Sequence, residues 1–398
     1  MTTFLIWFGF FLSLAFLLLI ARKSLWLGLF SASYVLGLFS LSFTEMWQQT
    51  YITLTNPSII LLALAVGLIP IIGGAMERSG LMDNLVNNLR MKPGSLMAFT
   101  AALVGLLPIP GGALLSAPLI DKSSKTVPIQ TKTAINIWFR HVFLLIYPLG
   151  ALLATTSMAN INLYTVILYL LPGFFLMVLL GYIFLLKDIN SKNAAQHQIN
   201  PKKLIIPITV IIIAPLIHFS LTMLCKTIIQ EIPLVIGVLI SVILVFYFGK
   251  LKWQDLKLIA LKMRPWNFAF IIFGMFLFLH IFQASETSQV IADASFSKVF
   301  LVVGVGGLLG FATGRVQVPI SILLPIFFAQ YGSSAMTPLV FAVMFFAVYQ
   351  GYIISPVHPC VSVSLQFFKT GLRDFYQSLA LPAFICIGLA WLVGSIAF

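Results

Sequence analysis

Charge is what this chain has least of. Only 8% of its 398 residues are Asp, Glu, Lys or Arg, too few to solvate the surface of a soluble globule of that length. Acidic residues are scarcer than basic ones, 10 against 23. No His, Asp and Glu cluster with metal spacing appears in the sequence, and no acidic residue falls well inside an apolar run. Cysteine is also rare. Cys225, Cys360 and Cys386 lie far apart without ligand spacing, which excludes a disulfide framework and argues against zinc. Low-complexity tracts are absent. What remains is apolar: hydrophobic residues make up 60% of the chain and mean hydropathy is +1.07. That composition describes a polytopic helical membrane protein. The first run, Phe4 to Ile20, has no basic residue before it and no small-residue cleavage site after it, so it reads as a transmembrane helix rather than a removed signal peptide.

Apolar runs place crossings at 4–21, 25–43, 57–76, 134–157, 163–187, 203–220, 230–249, 265–283, 338–360 and 374–397. That makes about ten transmembrane helices of bilayer-spanning length. Two interrupted segments, 96–120 and 298–330, are left over. A net charge of +13 raises a nucleic-acid reading, but its distribution rejects one. If both leftover segments are re-entrant hairpins, one side of the membrane receives almost every basic loop residue, from Arg22 and Lys23 to Lys369 and Arg373. The other side keeps only Lys226 and Lys298. The basic side is then cytoplasmic, and both termini lie outside, periplasmic or extracellular. Counting either hairpin as a single crossing destroys this sorting.

The same order of features occurs twice. Runs beginning at Pro57 and Pro265 lead into short polar stretches, and glycine- and proline-interrupted segments start at Gly105 and Gly307. Proline breaks follow at Tyr147-Pro148 and Ser355-Pro356. Five crossings plus a hairpin make an odd number of passes, so the two halves are inverted repeats. Residues 1–187 form the first, 188–202 a cytoplasmic linker, and 203–398 the second. Leu81, Leu85 and Leu89 stand at helical spacing against Asp83 and Asn84, predicting a short interfacial helix. A weaker counterpart follows Thr287, with an ordinary amphipathic loop as the alternative. Leu251, Leu258 and Leu261 among lysines predict another surface segment. Pairs of broken hydrophobic segments at corresponding positions point to the binding site of a secondary transporter.

The first turn falls at Pro108-Ile109-Pro110-Gly111-Gly112 and the second near Thr313-Gly314-Arg315-Val316-Gln317. Each arm has about 10–12 residues and reaches roughly the bilayer midplane at helical rise. Helices restarting there aim free amides into the site, which suits an anion. Two kinked full crossings are the alternative. Arg315 is the sharpest candidate, because a guanidinium at membrane depth needs a partner and a substrate carboxylate or phosphate offers two parallel hydrogen bonds. It could instead snorkel outward or pair with Glu286. Arg140 could contact substrate, Asp121 or lipid phosphate. The substrate-binding set is therefore Pro110, Gly111, Gly112, Ser116, Arg140, Thr313, Gly314, Arg315, Gln317, Ser355 and His358. Asn136, Thr155, Thr156 and Ser321 supply neutral oxygens able to hold a coupling sodium ion, the only cofactor-like ligand expected. Interhelical hydrogen bonding explains them equally well. His141 could carry a proton or be structural; His280 and His218 read as structural and interfacial.

PIPGGALLSAPL from Pro108, INIWFRHV from Ile135, FATG at Phe311 to Gly314 and GYIISPVHPC from Gly351 together resemble domain-of-unknown-function family 401 of integral membrane proteins. The resemblance covers nearly the whole chain. That family resembles a branch of the ion transporter superfamily, with citrate, dicarboxylate, gluconate and arsenite carriers and sodium/proton antiporters. The resemblance implies a homodimeric elevator transporter with two opposed hairpins, a scaffold and a mobile domain. The tips here differ from the Ser-Asn-Thr tips of the dicarboxylate carriers. The expectation is a secondary active transporter of a small organic anion coupled to sodium or protons, embedded in membrane lipid and not an enzyme. The alternatives are a cation/proton antiporter, which usually needs a buried carboxylate, a lipid-phosphate translocase, and an intramembrane lipid-modifying enzyme in which Ser355 and His358 would act.

Overall fold

The computed structural model describes residues 3–89, 91–106, 112–123, 126–189, 201–224, 229, 231–293 and 296–398. Its first half runs through α1 (Thr3–Ala21), α2 (Leu25–Leu38), α3 (Phe43–Thr55), α4 (Pro57–Arg78), α5 (Leu81–Asn87), α6 (Pro93–Gly105), α7 (Gly112–Ser123), α8 (Ile129–Ile146), α9 (Ala151–Met158) and α10 (Leu163–Gly181). The second half has α11 (Pro201–Leu224), α12 (Glu231–Phe248), α13 (Trp253–Met263), α14 (Pro265–Ala284), α15 (Glu286–Ala292), α16 (Gly306–Thr313), α17 (Gln317–Tyr331), α18 (Pro338–Ile353), α19 (Pro359–Phe368) and α20 (Leu372–Ala397). One π-helical turn, Tyr182–Leu186, extends α10, and another, Phe300–Val305, leads into α16.

Among the described residues seven helices are long and apolar enough to cross a membrane, or eight with α8 and α9 taken as one broken span. The chain is a multi-pass helical membrane protein. Its outward side chains agree: Phe4, Leu19, Leu168, Ile243 and Ile396 are exposed, which a soluble surface would not tolerate in such number but lipid does. The sequence expectation of one crossing over 25–43 is revised. α2 stops at Leu38, because the Ser42 hydroxyl accepts from Glu45 N while the Glu45 carboxylate accepts from Ser42 N at 2.7 Å. That reciprocal cap starts a separate helix. Proline at the first turn of α4, α6, α14, α18 and α19 sets helix starts where its missing N–H costs nothing.

The helices pack in two groups. In one, α1 lies on α2, α2 on α14, α14 on α4, α4 on α12 and α12 on α11; α3 rests on α14 and α13 on α4. In the other, α6 lies on α7 and α8, α8 on α10, α16 on α17 and α18, α18 on α20, and the two sets join through α10 with α18 and α8 with α20. The closest approaches sit where glycine is required. A Cβ at Gly105 would collide with the Arg140 carbonyl, and one at Gly310 with the Val348 carbonyl. So α6 presses backbone to backbone on α8, and α16 does the same on α18. At the basic end of the first group, α13 is tied to α4 by Arg78–Asp255 and Lys262–Glu77 ion pairs, both 2.7 Å. Its Trp253, Leu258 and Leu261 face outward, as an interfacial helix presents them.

A cavity where broken helices meet

Two helices break beside each other. α8 ends at Ile146, and α9 begins after Gly150, whose φ of 105° suits glycine. α18 ends at Ile353, and α19 restarts with His358 as its N-cap and Pro359 in its first turn. The turn between α16 and α17 comes against this second break. Gly314 has φ +58°, and a Cβ there would lie 2.8 Å from the His358 backbone nitrogen. Both conformation and contact therefore call for glycine. The Ser355 hydroxyl donates to the Phe311 carbonyl at 2.5 Å and fastens the break to α16.

These pieces surround a cavity of about 410 Å³, within the roughly 300–1,000 Å³ range of small-molecule sites. It lies in the seam between the two helix groups. α4 and α14 contribute Val66, Ile69, Phe268, Ile271 and Ile272, while the second group contributes Arg140, His141, Arg315, Gln317, Tyr349, Tyr352, His358 and Cys360. The helix starts at Gly150 and His358, and the Val316 start of α17, all border it, and none has a side-chain cap. Three positive helix ends facing one space favour an anion there.

The polar lining is cationic. Arg140 is 5% exposed, and its Nη1 is buried without a hydrogen-bond partner. Asp121 does not serve it: that carboxylate binds Lys132 at 2.7 Å. Arg315, half-buried, forms no ion pair among the described residues, Glu286 included. The two guanidiniums thus come from opposite halves of the chain and lack carboxylate partners in the described structure. The imidazoles are fixed by packing. His141 is wedged against Tyr352 and His358, with ring centroids 5.2 and 5.0 Å away, and the Tyr349 hydroxyl donates to the His141 carbonyl at 2.8 Å.

With this geometry the family can be assigned. The chain belongs to the DUF401 family. The family model, described as "Protein of unknown function (DUF401)", matches residues 7–397. The fold is similar to that of the YdaH transporter of Alcanivorax borkumensis, whose crystal structure is described as revealing an unusual topology. The TM-score is 0.60 at 14% identity, covering 98% of this chain and 99% of that one. At that identity the likeness is one of fold. No curated protein matches the chain.

Of the residues singled out from the sequence, Arg140, Gly314, Arg315, Gln317 and His358 line the cavity of this DUF401 chain. Thr313 and Ser355 stand behind the lining: the Thr313 hydroxyl donates to the Leu309 carbonyl at 2.8 Å, and Ser355 is engaged with Phe311. Pro110 and Gly111 lie outside the described residues, and for Gly112 only the backbone start of α7 is described. The neutral polar residues are dispersed. The Ser116 hydroxyl donates to Asn136 Oδ1 at 2.6 Å, and Asn136 Nδ2 donates to Ser364 Oγ at 3.0 Å, a latch joining α7, α8 and α19. Thr155 and Thr156 donate back into their own helix, and Thr156 borders a second cavity of about 240 Å³ near His218, Glu231 and His280. Ser321 is buried with its hydroxyl unpartnered. His280 is held by Thr53 at 2.8 Å, a structural bond as its apolar helix suggests. The sequence spacing set Cys360 aside as a ligand, marked Gly105 only as the start of an interrupted segment, and gave Tyr352 no role. Cys360 directly follows the His358-Pro359 break, a position that could have drawn attention to it.

Proposed function

We propose that the protein is a secondary active transporter of a small organic anion, of carboxylate or sugar-acid type, coupled to sodium or protons. The observation that carries this reading is the convergence of Arg140 and Arg315, with no carboxylate partner among the described residues, on a cavity bordered by three uncapped helix starts. A carboxylate would satisfy both guanidiniums through paired charge-assisted hydrogen bonds. An antiporter that exchanges cations on a buried carboxylate finds less support, because no Asp or Glu lines this cavity among the described residues.

Alternating access by an elevator-like shift is the mechanism that fits. The packing of α1 on α2 and of α2 on α14 matches that of α11 on α12 and of α12 on α4, and α6 with α8 matches α16 with α18. This supports inverted repeats about the α4–α14 contact. The cavity lies in the seam between the two groups, so sliding α6–α10 with α16–α20 past α1–α4 and α11–α14 would carry a bound anion across. The outward faces of α2 and α12 are the proposed homodimer contact, and the loop charges support an orientation with both termini on the outer side. Coupling would fall to oxygens among Asn136, Thr155, Thr156 and Ser321, of which Ser321 has an unpartnered hydroxyl.

Arg315 tests the reading. Purified protein should be stabilised against heat by a cognate carboxylate or sugar acid. Arg315→Lys should weaken that ligand roughly tenfold, because charge survives but the fork is lost. Arg315→Gln should remove binding while the protein stays folded. Equal ligand-induced stabilisation in all three proteins would sink the proposal.

A further inference from the structure

His141 comes from uninterrupted α8 and His358 and Cys360 from the break that opens α19, yet one ring nitrogen from each histidine and the Cys360 sulfur lie within 4.8 Å of one another. The histidines are held in the same sense. His141 Nδ1 sits 2.6 Å from the Ile137 carbonyl and His358 Nδ1 sits 3.4 Å from the Gly314 carbonyl. A carbonyl only accepts, so each Nδ1 carries the proton and each Nε2 presents a lone pair. Both Nε2 atoms are buried and hydrogen-bonded to no nitrogen or oxygen, in side chains 0% and 3% exposed, and the Cys360 thiol lies within hydrogen-bonding reach of His141. An imidazole whose Nδ1–H is given to a backbone carbonyl, leaving Nε2 bare, is the arrangement that orients metal-binding histidines. A buried acceptor nitrogen with no hydrogen bond, as at His358 Nε2, is otherwise costly.

From this arrangement we propose that His141 Nε2, His358 Nε2 and Cys360 Sγ form a binding site for a soft transition-metal ion of the zinc class, with its fourth position open to the central cavity. Nitrogen and sulfur donors select zinc, cobalt(II) or copper over magnesium and calcium. A tetrahedral site with metal–nitrogen and metal–sulfur bonds near 2.0 and 2.3 Å has ligand edges of roughly 3.5 Å, so the three donors would draw together on binding. Binding replaces the proton on Cys360, which leaves to solvent, by a sulfur–metal bond. Three protein ligands leave one position for water or an oxygen anion. Arg140 and Arg315, facing the same cavity, make an anion the favoured fourth ligand. The site shares its location with the proposed anion cavity but does not depend on that reading.

Cobalt(II) is the probe. Full-length reduced protein in detergent, titrated with the metal alone, should develop a thiolate-to-cobalt charge-transfer band that saturates at one ion per chain and is abolished by zinc. Cys360→Ser should remove the band. His141→Gln and His358→Gln should each weaken cobalt binding at least about tenfold, with elution profile and helicity unchanged. If Cys360→Ser fails to fold, a Cys225→Ser/Cys386→Ser double variant keeps only Cys360 and should retain the full band. Arg315→Gln should keep the band even as it loses anion binding, so failure of the metal site and failure of the anion reading give different results. No band in the wild-type protein, or an undiminished band in Cys360→Ser, overturns the proposal.

Discussion

The two helix breaks resemble each other in backbone and differ in chemistry. At the first, the chain between Ile146 and Ala151 supplies the cavity with Leu149 and Gly150, and the polar groups Arg140 and His141 sit on intact α8. At the second, His358 and Cys360 lie in or just past the break, and Arg315 stands in the neighbouring α16–α17 turn. The two breaks thus open the backbone in similar ways, and each opening is lined by different side chains. The backbone at the two breaks is alike and the side-chain chemistry is not, so the backbone alone says little about the ligand.

The largest expected effect comes from disturbing what the halves share. Gly105→Ala puts a methyl group into the Arg140 carbonyl, and backbone cannot yield as a flexible side chain would. Separation of α6 from α8 should cost about 3 kcal/mol or more, at the upper end of overpacking penalties, and should drag Arg140 out of place. Gly388→Ala in α20 meets nothing within 4 Å and should be neutral or stabilising by up to about 1 kcal/mol from helix propensity. Thermal unfolding of the two purified variants decides the matter. Similar melting temperatures would mean that the α6–α8 contact is not as close as described.

That comparison also marks what the sequence could convey. Glycine and proline act through the backbone, at positions fixed by their own conformational limits, so the interrupted segments and both breaks could be read directly from them. Arg315 was legible because a lone guanidinium in an apolar turn has few partners. Three-dimensional convergence was not. Ser116 and Asn136 have the composition of an ion site, yet they bond to each other and to Ser364. Cys360 looked isolated by spacing in the chain, and it meets His141 only because α19 returns against α8. The end of α2 at Leu38 was hidden by a hydrophobic run that continues across a helix boundary, and the cap made by Ser42 and Glu45 is the local signal for it.

A smaller effect separates structural polar groups from ligating ones. Asn136→Ala removes the link between α8 and α19 and leaves the Ser116 and Ser364 hydroxyls short of a buried partner. Loss of about 1–3 kcal/mol in stability is expected, the usual cost of orphaned buried groups. If the latch is only structural, the sodium dependence of ligand binding should stay as in the wild-type protein. An altered sodium dependence at unchanged stability would instead place Asn136 in the coupling-ion site.

The smallest expected effect lies at the basic edge of the first helix group, far from both breaks. Asp255 accepts from the Lys252 N–H at 2.7 Å and from Arg78 Nε at 2.7 Å, and these bonds, the backbone one first, hold its carboxyl below the usual carboxylate range. A group whose folded pKa is depressed contributes stability that is complete above its unfolded value, near 3.9, and lost as pH falls through the folded one. The contribution is modest because the pair is exposed to solvent and screened by salt. Asp255→Asn should therefore melt slightly below the wild-type protein at neutral pH and low salt. The gap should narrow as pH drops below about 4 and shrink with added salt. A gap that persisted at low pH would mean that Asp255 holds α13 by shape rather than by charge, and that the ion pairs between α13 and α4 do not set the position of that surface helix.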